Sequence, residues 1–235
     1  MEKELLGEVI GTALLILLGN GVVAGVVLDK SKSKDAGWIV ITIGWGLAVA
    51  MAAFISGLLG PAHLNPAVSI AMAYAGNLPL GSVFPYIGAQ FVGAFIGSLL
   101  VYLMYKDHYD ATEDTGAVLA TFSTGPAIRN TVTNTISEAI GTFVLVLGLL
   151  AFGNYDMPAG LGTLTVGALI LSLGVSLGGP TGYALNPARD LGPRIMHAIL
   201  PLKHKGDSDW GYALVPVVGP IIGGLLAAIF YGLVF

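Results

Sequence analysis

The sequence predicts an all-α membrane protein in which six transmembrane helices and two re-entrant half-helices form an inverted repeat. Three observations carry this. Only 10% of the 235 residues are charged and 55% are hydrophobic, against roughly 25% charged in an ordinary soluble domain. Six apolar runs are long enough to cross a hydrocarbon core. The tripeptide Asn-Pro-Ala occurs twice, at 65–67 and 186–188, in two halves whose features match in order.

Composition narrows the function classes. Polar side chains are too few to cover a water-facing surface, and the mean hydropathy is +0.82, so the chain is expected in a membrane. The net charge is -4 with no basic tract, which gives nucleic acid no footing. There is no cysteine, which removes disulfides, thiolate metal sites and cysteine nucleophiles together. His108, His197 and His204 lack metal-ligand spacing, so neither a metal nor a cofactor is expected. No paired Ser/His and no aspartate dyad suggests an enzyme. The 34 glycines suit helices whose backbones approach closely inside a bilayer.

Each element follows from its residues. A core about 30 Å thick needs roughly 20 apolar residues per helix, and six segments supply them: 5–28, 36–56, 82–105, 134–153, 159–178 and 211–234. The first begins behind only Met1 to Glu4 with no small-residue cleavage site after it, and reads as a retained span. Polar breaks fall at 29–35, 106–134, 154–158 and 203–209. The stretches 57–78 and 179–200 are nearly uncharged yet interrupted by Gly, Pro and Asn. Each is expected to enter the membrane as a loop, turn, and leave as a half-helix of about 10 residues. Irregular backbone is tolerated at that depth only where it is buried in protein or lines a wet cavity. Two such loops imply a cavity.

The halves repeat, over about 1–110 and 130–235, within one domain spanning 1–235. Glu8-x-x-Gly11-Thr12 returns as Glu138-x-x-Gly141-Thr142, and Gln90-x-x-Gly93 as Pro220-x-x-Gly223. Three spans per half is an odd number, so the second half runs upside down relative to the first and the functional site is expected where they meet. Asparagine is a preferred N-cap and proline suits the first helical turn. Asn65-Pro66-Ala67 and Asn186-Pro187-Ala188 are therefore two helix starts, brought together at mid-membrane with their positive dipole ends facing. Glycines 7, 11, 93, 97, 223 and 224 are expected at helix contacts.

Two Asn-Pro-Ala motifs in six spans resemble the aquaporin (major intrinsic protein) family over essentially the whole chain. The runs Ala62-His63-Leu64-Asn65-Pro66-Ala67-Val68 and Asn186-Pro187-Ala188-Arg189-Asp190-Leu191-Gly192-Pro193-Arg194, with Pro216-Val217 in the last span, resemble its glycerol-facilitator branch. The resemblance implies a central constriction at the two tripeptides and a selectivity filter of Trp45, Gly174, Tyr183 and Arg189. In that filter the guanidinium meets solute hydroxyls, the aromatic rings meet carbon, and Gly174 leaves room. Tyr183 stands where the branch commonly has phenylalanine, and its hydroxyl is expected to make the filter smaller and more polar. Carbonyls of Ala62, His63, Leu64, Gly182, Tyr183 and Ala184 are expected to line the path, while Glu8 and Glu138 brace the loops. His63 is expected to be a packed loop residue.

The resemblance further implies passive conduction of glycerol, water and other small uncharged solutes through a homotetramer in the cell membrane, with ions and protons excluded. The alternatives are a water-selective aquaporin, a channel for neutral small acids such as lactic acid, and, in a different class, a secondary transporter. Both termini are implied to be cytoplasmic. That leaves Lys30, Lys32, Lys34, Lys106, Lys203 and Lys205 outside, against the positive-inside rule.

Overall fold

A computed structural model describes residues 1–158 and 160–235. Ten α-helices run among the described residues: α1 (Glu2–Val27), α2 (Trp38–Ser56), α3 (Pro66–Tyr74), α4 (Val83–Met104), α5 (Lys106–Ala111), α6 (Thr115–Ala120), α7 (Thr131–Phe152), α8 (Leu161–Leu177), α9 (Pro187–Ile199) and α10 (Val215–Val234). No strand interrupts them. Five are long and apolar enough to cross a membrane. The sixth expected span is α8 with 17 residues, about 25 Å at 1.5 Å per residue. Its expected start at 159 lies outside the described residues.

Local chemistry sets the ends. Asn65 and Asn186 cap α3 and α9 through their side-chain oxygens, with proline at the first helical position of each. Asn130 accepts from Val132 N and Thr133 N, which starts α7 at Thr131 rather than 134. The stretch 106–134, read only as a polar break, holds two short helices. Asp114 caps the second, and buried Tyr109 and Phe122 pack it onto the bundle.

The halves pack alike. α1 lies against α4 and α7 against α10, each pair brought together at a glycine. A Cβ on Gly93 would lie 2.4 Å from the Val9 carbonyl oxygen, and one on Gly223 would lie 2.0 Å from that of Ala139. Nothing larger than hydrogen fits. Gly11 lies at a helix contact as expected, against Ser56 of α2, and its missing Cβ also makes way for Leu64, so it seats a loop as well as a helix. The half-helices cross over: α3 rests chiefly on α10 and α9 chiefly on α4, each leaning on the opposite half. Large apolar side chains such as Ile39, Leu47, Phe84, Ile136 and Leu226 remain exposed along the long helices, as a lipid-facing surface requires.

Candidate functional site

The two half-helices meet tip to tip. Asn65 Nδ2 donates to the Leu185 carbonyl at 2.8 Å, and Asn186 Nδ2 donates to the Leu64 carbonyl at 2.7 Å. Each side-chain oxygen is spent on its own helix: Asn65 Oδ1 accepts from Ala67 N, and Asn186 Oδ1 from Ala188 N and Arg189 N. An amide nitrogen carries two hydrogens, so each asparagine keeps one N–H beyond the crossed bond. Two capped N-termini therefore face each other with donors outermost and positive dipole ends together.

The loops leading to these tips are strained and held. Ala62, Leu64, Tyr183 and Leu185 all have positive φ, between 40° and 56°, a left-handed conformation that costs a non-glycine residue about 1–2 kcal/mol. Buried carboxylates offset it. Glu8 accepts from His63 N, Leu64 N and Gln90 Nε2, all at 2.7 Å. Glu138 accepts from Thr181 Oγ1 at 2.6 Å, Ala184 N at 3.0 Å and Leu185 N at 2.8 Å. Each carboxylate takes three donors at an equivalent place in its half. His63 adds a contact from Nδ1 to Ser69 Oγ at 3.1 Å and packs on Tyr86.

A cavity of about 920 Å³ runs from one end of the bundle, beside Asn77, Asn154 and Tyr231, past both asparagines to Trp45, Tyr183 and Arg189. Ala62, His63, Leu64 and Ala184 line it. At its far end the Arg189 guanidinium carbon sits 4.1 Å from the Trp45 ring centroid, within the range of a cation–π contact. Arg189 Nη1 also reaches the Phe122 carbonyl at 3.4 Å, which Asn20 Nδ2 shares at 3.2 Å. Among the described residues that is the only side-chain hydrogen bond of Arg189, so most of its five donors are uncommitted. The next arginine is fully spent: Arg194 pairs with Asp190 and donates to the carbonyls of Thr124, Ser208 and Asp209. Asp190 in turn accepts from Thr124 N and Oγ1. This buried pair ties two connecting loops to α9 behind Arg189.

The model of the family described as "Major intrinsic protein" matches residues 1–231. This chain belongs to the major intrinsic protein family. It is 65% identical over 233 residues to the glycerol uptake facilitator protein of Streptococcus pneumoniae strain R6, covering 99% of this chain and 100% of that one. It is 57% identical over 229 residues to the Bacillus subtilis glycerol uptake facilitator protein, covering 97% and 84%. The X-ray structure of the aquaglyceroporin from Plasmodium falciparum superposes with a TM-score of 0.86 at 33% identity, covering 99% of this chain and 96% of that one. The aquaporin fold and a multi-pass place in the membrane follow from that membership, and a channel rather than an enzyme.

Within this major intrinsic protein fold, three expected positions behave differently from the reading of the sequence. Gly174 does not line the cavity. The room it leaves holds the Tyr183 phenol, because a Cβ there would lie 2.7 Å from Tyr183 Cζ and Oη and 2.8 Å from Thr42 Cγ2. Nor does the Tyr183 hydroxyl add polarity to the passage, for it is buried without a hydrogen-bond partner among the described residues. Gly182 also lies off the wall, with its α-carbon turned toward Thr124. The sequence reading missed several supports. Trp38 donates from Nε1 to the Gly174 carbonyl at 3.0 Å and packs edge-on against Tyr183. Asn20 and Thr181 join the networks above. Thr181, two positions before Tyr183 within the second broken stretch, was the one with a local signal.

Proposed function

We propose that this chain is a passive channel for glycerol and other small uncharged solutes, with water, that excludes ions and protons. The observation that carries the reading is the far end of the cavity, where two aromatic rings and one guanidinium with most of its donors free share the wall. A polyol has carbon along one side and hydroxyls along the other, and such a wall offers each side its match. Asn65 and Asn186, each with a spare N–H, supply further donors at the centre. Selective conduction needs contacts that replace hydration without holding the solute, and a few donors on apolar walls meet that condition.

The facing N-termini and Arg189 place positive potential along the path, which disfavours hydronium and metal cations. The carbonyls of Ala62, His63 and Ala184 act as acceptors beside it, whereas that of Leu64 is already engaged by Asn186. Residues 1–235 form one domain of two inverted repeats, assembled as a homotetramer in the lipid bilayer with both termini cytoplasmic. The names of the glycerol uptake facilitator relatives support the substrate.

Stopped-flow light scattering on proteoliposomes tests the function. Glycerol uptake should rise linearly with the gradient and ignore applied sodium or proton gradients. Flux that saturates, or that needs an ion gradient, would instead identify a secondary transporter.

A further inference from the structure

Gly19 lies on α1, outside the two tripeptides, the four filter positions and both loops. Yet a Cβ built on it would lie 2.3 Å from Trp45 Cζ3 and 2.4 Å from Cε3 and Cη2. The six-membered ring of the indole therefore rests directly on the Gly19 backbone. On another side of the same ring stands the Arg189 guanidinium, 4.1 Å from the centroid, and beyond it the cavity that Trp45 lines. Trp45 is 5% exposed, so the ring is packed around most of its surface while lining the passage.

Among the described residues the second aromatic ring of the site is seated in the same way. The Tyr183 ring sits over Gly174 and Gly178, where added Cβ atoms would lie 2.7 and 2.6 Å from ring atoms. Both aromatic rings at this end of the cavity are thus seated on glycine backbones, and in each case a single methyl group is too much. Such contacts are far inside van der Waals distance, and close-packed interiors transmit a displacement instead of absorbing it.

We infer that Gly19 is a specificity-determining residue of the channel: by withholding a side chain behind Trp45 it sets how far the indole projects toward Arg189, and so the largest solute that passes. The inference rests on the conduction proposed above and adds to it a residue that touches no solute. An alanine at 19 pushes the indole into the passage. Water, the smallest permeant, still fits; glycerol, with its three-carbon chain, is hindered.

The test compares wild type, Gly19→Ala, Trp45→Phe and the double variant in proteoliposomes, measuring glycerol and water permeability on the same vesicles. Wild type must first conduct glycerol; if it does not, the proposed function fails and the filter argument is not what has been tested. Given that, Gly19→Ala should lower glycerol permeability roughly tenfold, the scale on which one methyl group discriminates in a tight site, and leave water within about twofold of wild type. In the Trp45→Phe background the smaller ring leaves room for the methyl group, so Gly19→Ala there should change the glycerol-to-water ratio by less than about twofold. This second comparison stands even if the single glycine variant is not recovered folded. An unchanged ratio in Gly19→Ala, parallel loss of both solutes, or an equal drop in the Trp45→Phe background would each overturn the inference.

Discussion

Glu138 shows how one buried side chain fixes a path it does not enter. Its carboxylate has only acceptors, and three donors converge on it. Glutamine would turn an N–H toward one of those donors and leave a buried polar group unpaired, a loss of about 1–3 kcal/mol. Glu138→Gln is therefore expected to lower the melting temperature in detergent and to reduce conduction per folded protein; an unchanged melt would mean the loop holds its shape without the carboxylate. Tyr183→Phe points the other way. The phenol oxygen is buried and unpartnered, so removing it should leave the glycerol-to-water ratio within about twofold and cost no stability. A large rise in polyol flux would show that the hydroxyl faces the passage after all. Gly174→His is expected to cut glycerol flux and spare water, because the new side chain must displace the Tyr183 ring. Free passage of glycerol in that variant would place the filter elsewhere.

At the scale of elements, the glycines divide by what faces them. Gly223 and Gly93 sit against backbone carbonyl oxygens of neighbouring helices, whereas nothing lies within 4 Å of a Cβ on Gly21 or Gly88. Gly223→Ala forces α10 off α7 and should destabilise by about 1–3 kcal/mol. Gly88→Ala sits in a helix interior with open space, where alanine is favoured over glycine by about 1 kcal/mol. Thermal melts of the two variants should therefore move in opposite directions, and equal shifts would mean that helix propensity, not close approach, governs these positions. The sequence carried no such division, because glycine looks the same at a contact and at a lipid-facing turn. The half-helices were legible for a different reason. Asparagine followed by proline is local capping chemistry, and α3 and α9 begin where it placed them. The short helices α5 and α6 were not, since each is only six residues long and gains its burial only from the rest of the bundle.

Over the whole molecule, the crossed bonds between Asn65, Leu185, Asn186 and Leu64 join the two halves where the half-helices meet. The positive potential there comes from two helix ends and one fixed charge. Removing the charge with Arg189→Ala should admit small cations that the proposed channel excludes, read as a conductance across planar bilayers; an equally tight variant would leave the helix ends sufficient alone. Orientation belongs to this scale too. The proposed cytoplasmic termini put the lysine-bearing loops at 30–34, 106 and 203–205 outside, and tags at either terminus should then be protected in intact cells.

The sequence by itself determined the membrane class, the number and order of the spans, the two helix starts and the pairing of the glutamates. All of these rest on local chemistry or on a repeat visible along the chain. Only the tertiary structure decided which groups face the passage. It turned the Tyr183 hydroxyl away, filled the space at Gly174 with the same ring, and set Gly19 behind Trp45. Each of these is a contact between segments far apart in the chain, and the direction in which a side chain points is fixed by the neighbours that exclude it, which no single segment records.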